Sequence, residues 1–131
     1  MGAKSFSILA GGTVSATGGT AKTYASDGQA VPNGVHVIDS SVTDFRVRPN
    51  ATLKNRNPVY KDGKFGKDKK TATLVRPELL ASGEVTYNLI RIEREVHPET
   101  SAANALELNI QGSQLLFDSE LAAFWATGST E

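Results

Sequence analysis

Apolar and polar residues alternate with a period of two over much of the first hundred positions. From Phe45 to Lys54, residues Phe45, Val47, Ala51 and Leu53 fall on one parity, and Arg46, Arg48, Asn50, Thr52 and Lys54 on the other. A strand here turns the first set toward a core and the second toward one exposed face. Pro49 makes it an edge strand, a bulged one, or one interrupted at that point. Alternation returns at Lys69–Val75, with Ala72 and Leu74 opposite Thr71, Thr73 and Val75. It is longest at Glu84–Val96, where Ile90, Ile92 and Val96 oppose Tyr87, Leu89, Arg91, Glu93 and Glu95. Shorter apolar segments at Ser5–Ala10, Ala21–Ser26 and Val35–Ile38 are separated by Gly11-Gly12, Gly18-Gly19 and Pro32-Asn33-Gly34, a pattern of antiparallel strands and turns. Asn55–Asp68, with Pro58, Gly63 and Gly66, reads as a long hairpin loop, and Pro77 and Ser82-Gly83 bracket a short connection.

After Pro98 the period changes to that of a helix. Thr100 or Ser101 can cap a helix running to about Phe117, and Asp118 a second one over Ser119–Ala126 that ends before Gly128. Strands followed by helices give an α+β class, an antiparallel sheet with two C-terminal helices. The chain forms one domain over residues 1–131, with strands in 1–97 and the helices in 98–128.

The first helix carries more apolar surface than one chain needs. At about 100° per residue, Ala102, Ala105, Leu106, Ile110, Ser113, Leu116 and Phe117 form a core-facing stripe interrupted by Asn109. Leu108 and Leu115 lie outside that stripe with Gly112 beside them, leaving Asn104, Glu107, Gln111 and Gln114 a narrow polar arc. A helix on the surface of a monomer needs an apolar stripe of roughly 100°; this one is wider. Gly112 costs about 1 kcal/mol of helix propensity, which close approach of another backbone offsets. Leu121, Phe124 and Trp125 add much apolar area to a short second helix. Leu108, Gly112, Leu115, Leu121, Phe124 and Trp125 are therefore expected at a homodimer interface.

Charge sharpens the picture. Hydrophobic residues make up only 39% of the chain, and the net charge is zero but unevenly spread. Residues 44–70 hold nine basic groups against three aspartates, whereas residues 71–131 hold three arginines against nine acids. A polyanion-facing middle and an acidic C-terminal part follow. With no cysteine there is no disulfide or thiolate metal site. No segment approaches the run of about 20 apolar residues that spans a bilayer, and the first ten residues lack a signal-peptide core. No membrane partner is expected, and cytosolic assembly is compatible.

Catalytic and cofactor signatures are missing. The glycine-rich start holds neither a dinucleotide fingerprint nor a P-loop. His36 and His97 stand far apart, so no metal is expected, and no nucleophile elbow is present. Glu93 and Glu95 share a strand face, but Arg91 beside them makes a structural ion pair the better reading than an acid/base pair. No enzyme, cofactor or small-molecule substrate is expected.

Several segments resemble the coat proteins of levivirus-like single-stranded RNA phages. They are Asp44–Pro49 (DFRVRP), Thr71–Pro77 (TATLVRP), Val85–Thr100 (VTYNLIRIEREVHPET), Gln114–Asp118 (QLLFD) and Phe124–Ser129 (FWATGS). The likeness runs from about Asp44 to the end and rests on the order of the pieces. It implies an N-terminal β-hairpin, an antiparallel sheet joined edge to edge with a second copy, and helices interlocked across that dimer. Dimers would close into an icosahedral virion shell assembled in the bacterial cytoplasm, with genomic RNA on the inner sheet face. In better-known members that face also grips an RNA stem-loop that represses translation. Carried over by position, the RNA-binding residues would be Arg46, Arg48, Asn50, Thr52, Lys54, Thr71, Thr73, Tyr87 and Arg91. Cations would neutralise phosphates and Tyr87 would stack on an unpaired base. Leu89 departs from the pattern, standing where a polar contact is expected. The connection Pro77–Gly83 is short for the family, so the loop Asn55–Asp68 is expected to supply contacts between dimers. The competing readings are a dimeric nucleic-acid-binding regulator that forms no shell, and a small hydrolase using Glu93 and Glu95.

Overall fold

The computed structural model describes residues 2–14 and 16–131. In chain order its strands are β1 (Tyr24–Ser26), β2 (Gly34–Asp39), β3 (Asn50–Arg56), β4 (Tyr60–Lys61), β5 (Lys64–Phe65), β6 (Asp68–Leu79) and β7 (Val85–Val96). Five of them form one antiparallel sheet in the order β1-β2-β3-β6-β7, and β4 and β5 form a separate ribbon. Helix α1 (Ala102–Phe117), a 3-10 turn (Ser119–Leu121) and helix α2 (Ala122–Thr127) follow. The chain divides into two compact units, the sheet with its ribbon (Gly19–Glu99) and the helices (Thr100–Glu131) together with the N-terminal segment up to Gly18.

The long strands form where alternation was strongest. β7 pairs with β6 along its whole length, from Val85 opposite Leu79 to Val96 opposite Asp68. β6 runs through Pro77 rather than stopping before it. β3 ends its pairing with β6 at Asn50 opposite Val75, so one edge of β6 is open beyond that point, where the missing proline N–H costs no ladder bond. The reversal is therefore a tight turn at 80–84, in which the Leu80 N–H donates to the Glu84 carbonyl (2.8 Å) and Gly83 takes φ 91°.

Three expectations need correction. Ser5–Ala10 is not a strand: its backbone is held by side chains of α1, not by a neighbouring strand. The Gln114 side-chain amide accepts from the Leu9 N–H (2.7 Å) and donates to the Leu9 carbonyl (2.8 Å), and Glu107 accepts from the Gly11 N–H (2.7 Å). The hairpin that does form early in the chain is β1-β2. Phe45–Pro49 is not strand either, and β3 begins after Pro49. There the Asp44 carboxylate grips the Arg46 guanidinium (3.0 and 3.2 Å), and Arg48 donates to the Val42 and Thr43 carbonyls (2.9 and 3.3 Å). The long loop over Asn55–Asp68 contains the β4-β5 ribbon, turned by Asp62 (φ 55°) and Gly63 (φ 75°), the pair of positive φ angles that suits a two-residue hairpin.

Helix α1 begins and ends on the expected residues, but the second helix expected over Ser119–Ala126 is divided: Asp118 caps a 3-10 turn over Ser119–Leu121, and α2 starts only at Ala122. The Ser101 hydroxyl accepts from the Asn104 N–H (3.2 Å), and the Asp118 carboxylate from the Glu120 N–H (2.9 Å). Gly128, left-handed at φ 77°, closes α2 with its N–H on the Phe124 carbonyl. The indole of Trp125 donates to the Leu115 carbonyl (2.8 Å), tying the two helices together.

Among the described residues, Leu121 is the one buried hydrophobic side chain and Asp39 the one buried charged residue. No residue of α1 or α2 is buried. A chain of this size ordinarily buries about two thirds of its surface on folding, so the apolar area needed for a core lies open in the single chain.

Candidate functional site

Strand register decides what each face of the sheet presents, because directly paired residues point the same way and successive residues point oppositely. One row runs His36, Thr52, Thr73, Arg91 across β2, β3, β6 and β7. The adjacent row on the same face runs Gly34, Lys54, Thr71, Glu93, and beyond it come Arg56, Lys69 and Glu95. On the other side the row is Ile38, Asn50, Val75, Leu89, followed by Pro77 and Tyr87. Asn50, Thr52, Lys54, Thr71, Thr73, Tyr87 and Arg91 thus share one face, as the alternation predicts. Arg46 and Arg48 do not join them. They lie in the turn before β3, occupied by Asp44 and by loop carbonyls.

The polar face carries four cations, Lys54, Arg56, Lys69 and Arg91, against Glu93 and Glu95. Among the described residues Lys54, Arg56 and Arg91 form no ion pair, whereas Lys69 is paired with Glu93. Glu93 therefore has a lysine partner from β6, not the expected Arg91, and is not a free carboxylate for acid/base work. Sequence reasoning missed Arg56, whose parity with Lys54 was legible, and His36. The His36 ring is half-buried between the Asp27 carboxylate (Nδ1 to Oδ2, 2.8 Å) and the Asn50 side-chain oxygen (Nε2 to Oδ1, 3.3 Å). The Asp27 carboxyl is held below its usual range, first by the Gln29 N–H and then, against the cost of desolvation, by His36.

The opposite face is apolar. Its two central rows are Val35, Leu53, Ala72, Ile92 and Val37, Ala51, Leu74, Ile90. Leu53 is 46% exposed and Ile92 54%. The helices are equally bare. Leu108, Leu115, Phe124 and Trp125 are exposed, and a side chain added at Gly112 would meet nothing within 4 Å. Phe117, expected in the core-facing stripe, is 82% exposed, while Glu107, Gln111 and Gln114 of the supposed solvent arc are half-buried. The N-terminal segment explains that inversion, since its backbone lies along those polar groups. Leu121 is the exception among the expected interface residues: it is buried in its own chain, so it is not available to a partner.

No family model matches the chain, and no curated protein does. Solved structures do. The chain is similar to the subunit of the virus-like particle of bacteriophage GQ-907, with TM-score 0.88 and 41% identity over 95% of both chains. The virus-like particles of Wenzhou levi-like virus 4 (TM-score 0.59, 19% identity, 87% of this chain and 84% of that one) and Beihai levi-like virus 21 (TM-score 0.56, 16% identity, 86% and 97%) share the fold. Exposed large apolar side chains on both the sheet and the helices suit a subunit that is buried further in an assembly. The identity along nearly the full length of the GQ-907 particle subunit shows that the chain belongs to the levivirus-like phage coat proteins, and is a capsid protein.

Proposed function

We propose that this coat protein pairs as a homodimer, closes into a shell in the bacterial cytoplasm, and packages single-stranded RNA against the polar sheet face. The two-faced sheet carries this reading. Its apolar rows need a cover, and the exposed leucines of α1 in a second copy supply one of matching chemistry. At about 25 cal/mol per Å² of apolar surface removed from water, mutual burial is the largest favourable term open to such subunits. β7 adds a second reason: twelve residues long and last in the sheet order, it has one edge without a partner strand among the described residues. Such an edge invites the same strand of another copy.

The polar face offers Lys54, Arg56 and Arg91 for phosphates, and Asn50, Thr52, Thr71 and Thr73 for sugars and bases. Tyr87, 64% exposed, offers a ring for stacking. The row Ile38, Asn50, Val75, Leu89 is poor in donors, so the proposal extends to packaging and not to reading one particular stem-loop. Expression in bacteria tests it. Uniform particles that contain RNA and fall apart into dimers support it. Empty particles would refute the RNA role, and particles that release monomers would refute the pairing.

A further inference from the structure

We infer that the β4-β5 ribbon is a second contact for single-stranded RNA, separate from the sheet face; the inference rests on the packaging role proposed above. The ribbon has two chemically distinct sides. Tyr60 pairs directly with Phe65 and Lys61 with Lys64, so the rings share one side and the ammonium groups the other. The rings meet edge to face with centroids 4.9 Å apart, and both are exposed. That contact fixes them in orientation while leaving ring surface for a base, and base–aromatic stacking needs no particular sequence.

The lysine side is harder to explain without an anion. Like charges directly opposite each other in a strand pair are destabilising. Among the described residues, Lys61, Lys64, Lys67 and Arg56 at the ribbon's base have no ion pair, although Asp62 stands at the tip. A phosphate backbone crossing Lys61 and Lys64 removes that repulsion. A flexible strand passing over the edge of so narrow a ribbon reaches both sides. The ribbon also follows the cations of β3 along the chain: it comes just after Arg56, next in parity to Lys54. A protein occupant competes for the same surface, because no lysine or arginine follows Arg94 and the helices carry only acids. Lysine is depleted in protein–protein interface cores, whereas paired lysines beside exposed rings are the composition of a single-strand platform.

Ultraviolet crosslinking of intact particles, with adducts mapped by mass spectrometry, tests this without altering the protein. Nucleotide adducts on Tyr60 or Phe65 are the expected result. Lys61→Gln with Lys64→Gln should keep the shell, lose those adducts and lower the RNA per particle. Adducts confined to β3, β6 and β7, with unchanged RNA in the lysine variant, would overturn the inference while leaving the packaging role intact. Lysine variants that yield free subunits instead of shells would overturn it in favour of a contact between copies. Unmodified particles without RNA would overturn both readings at once.

Discussion

The two faces of the five-stranded sheet are built by the same strands in the same register, and both lie open in the single chain. The polar face presents hydroxyl, amide and cationic side chains, which lose little by facing solvent. The apolar face exposes large hydrophobic side chains, among them Val35, Leu53 and Ile92. Exposure alone therefore says little. The cost of leaving a face wet does, being small for threonine and lysine and about 1.5–3 kcal/mol for each large apolar side chain that could be buried.

Substitutions can break this contrast. The largest effect is expected from Ile92→Asp on the apolar face. A carboxylate there would be buried without a partner on assembly, at a cost of several kcal/mol, so shells and dimers should both disappear by sedimentation and electron microscopy. Leu108→Asp should do the same if α1 of a second copy covers that face, and the two changes together should be no worse than either alone. An unaltered sedimentation profile for Leu108→Asp would count against the pairing.

Gly34→Ala strikes both faces together. An added Cβ would lie 2.2 Å from the Leu53 carbonyl oxygen, so β2 must move away from β3. A loss of about 1–3 kcal/mol should appear in thermal unfolding, with particle yield and RNA content declining in step.

Lys54→Ser with Arg91→Ser is confined to the polar face. Particles should form normally and carry less RNA, and a single-strand salt dependence should weaken by about 0.7 in slope for each cation removed. By contrast, Arg46→Ser should leave RNA content unchanged, because that guanidinium is held by Asp44 outside the sheet.

The smallest effect concerns Asp39, the polar residue on the apolar parity of β2. Its carboxyl is held below the ordinary carboxylate range, chiefly by the Ser41 hydroxyl (2.6 Å). With the folded value below the unfolded one, this stabilisation is present above about pH 4 and is lost as pH falls through the folded value. Ser41→Ala should shrink the acid-sensitive part of the melting curve, and an unchanged acid profile would refute the assignment.

What could be read beforehand was local. β6, β7 and the caps at Ser101 and Asp118 follow from alternation and hydroxyl or carboxylate placement within a few residues. The shared face of Asn50, Thr52, Thr71, Thr73 and Arg91 follows from parity once the strands pair. One failure came where distant groups decided the outcome, and others where a local turn did. Ser5–Ala10 has strand-like composition, yet its main chain bonds to the side chains of Gln114 and Glu120, 105 and 113 positions away. Phe45–Pro49 alternates without a ladder because Asp44 and Arg48 satisfy that turn internally. The Asp62-Gly63 dipeptide, with an aromatic and a lysine on each flank, carries the signature of the ribbon inside a segment whose prolines, glycines and charges otherwise read as loop. Apolar area alone places Leu121 at an interface, but area does not tell a side chain turned into its own corner from one turned outward, and Leu121 is buried.

The clasp on the N-terminal segment has one more implication. Gln114 offers an amide oxygen and an amide nitrogen to the two polar atoms of Leu9, imitating a rung of β-ladder with a side chain. A grip of this kind recognises main chain and is blind to what the held residues are. Apart from Gly11, whose positive φ restricts it, and Gly2, where an added Cβ would collide with the Glu131 main chain, the held residues are free to drift in identity while staying attached, and the constraint passes to a glutamine and a glutamate on the helix.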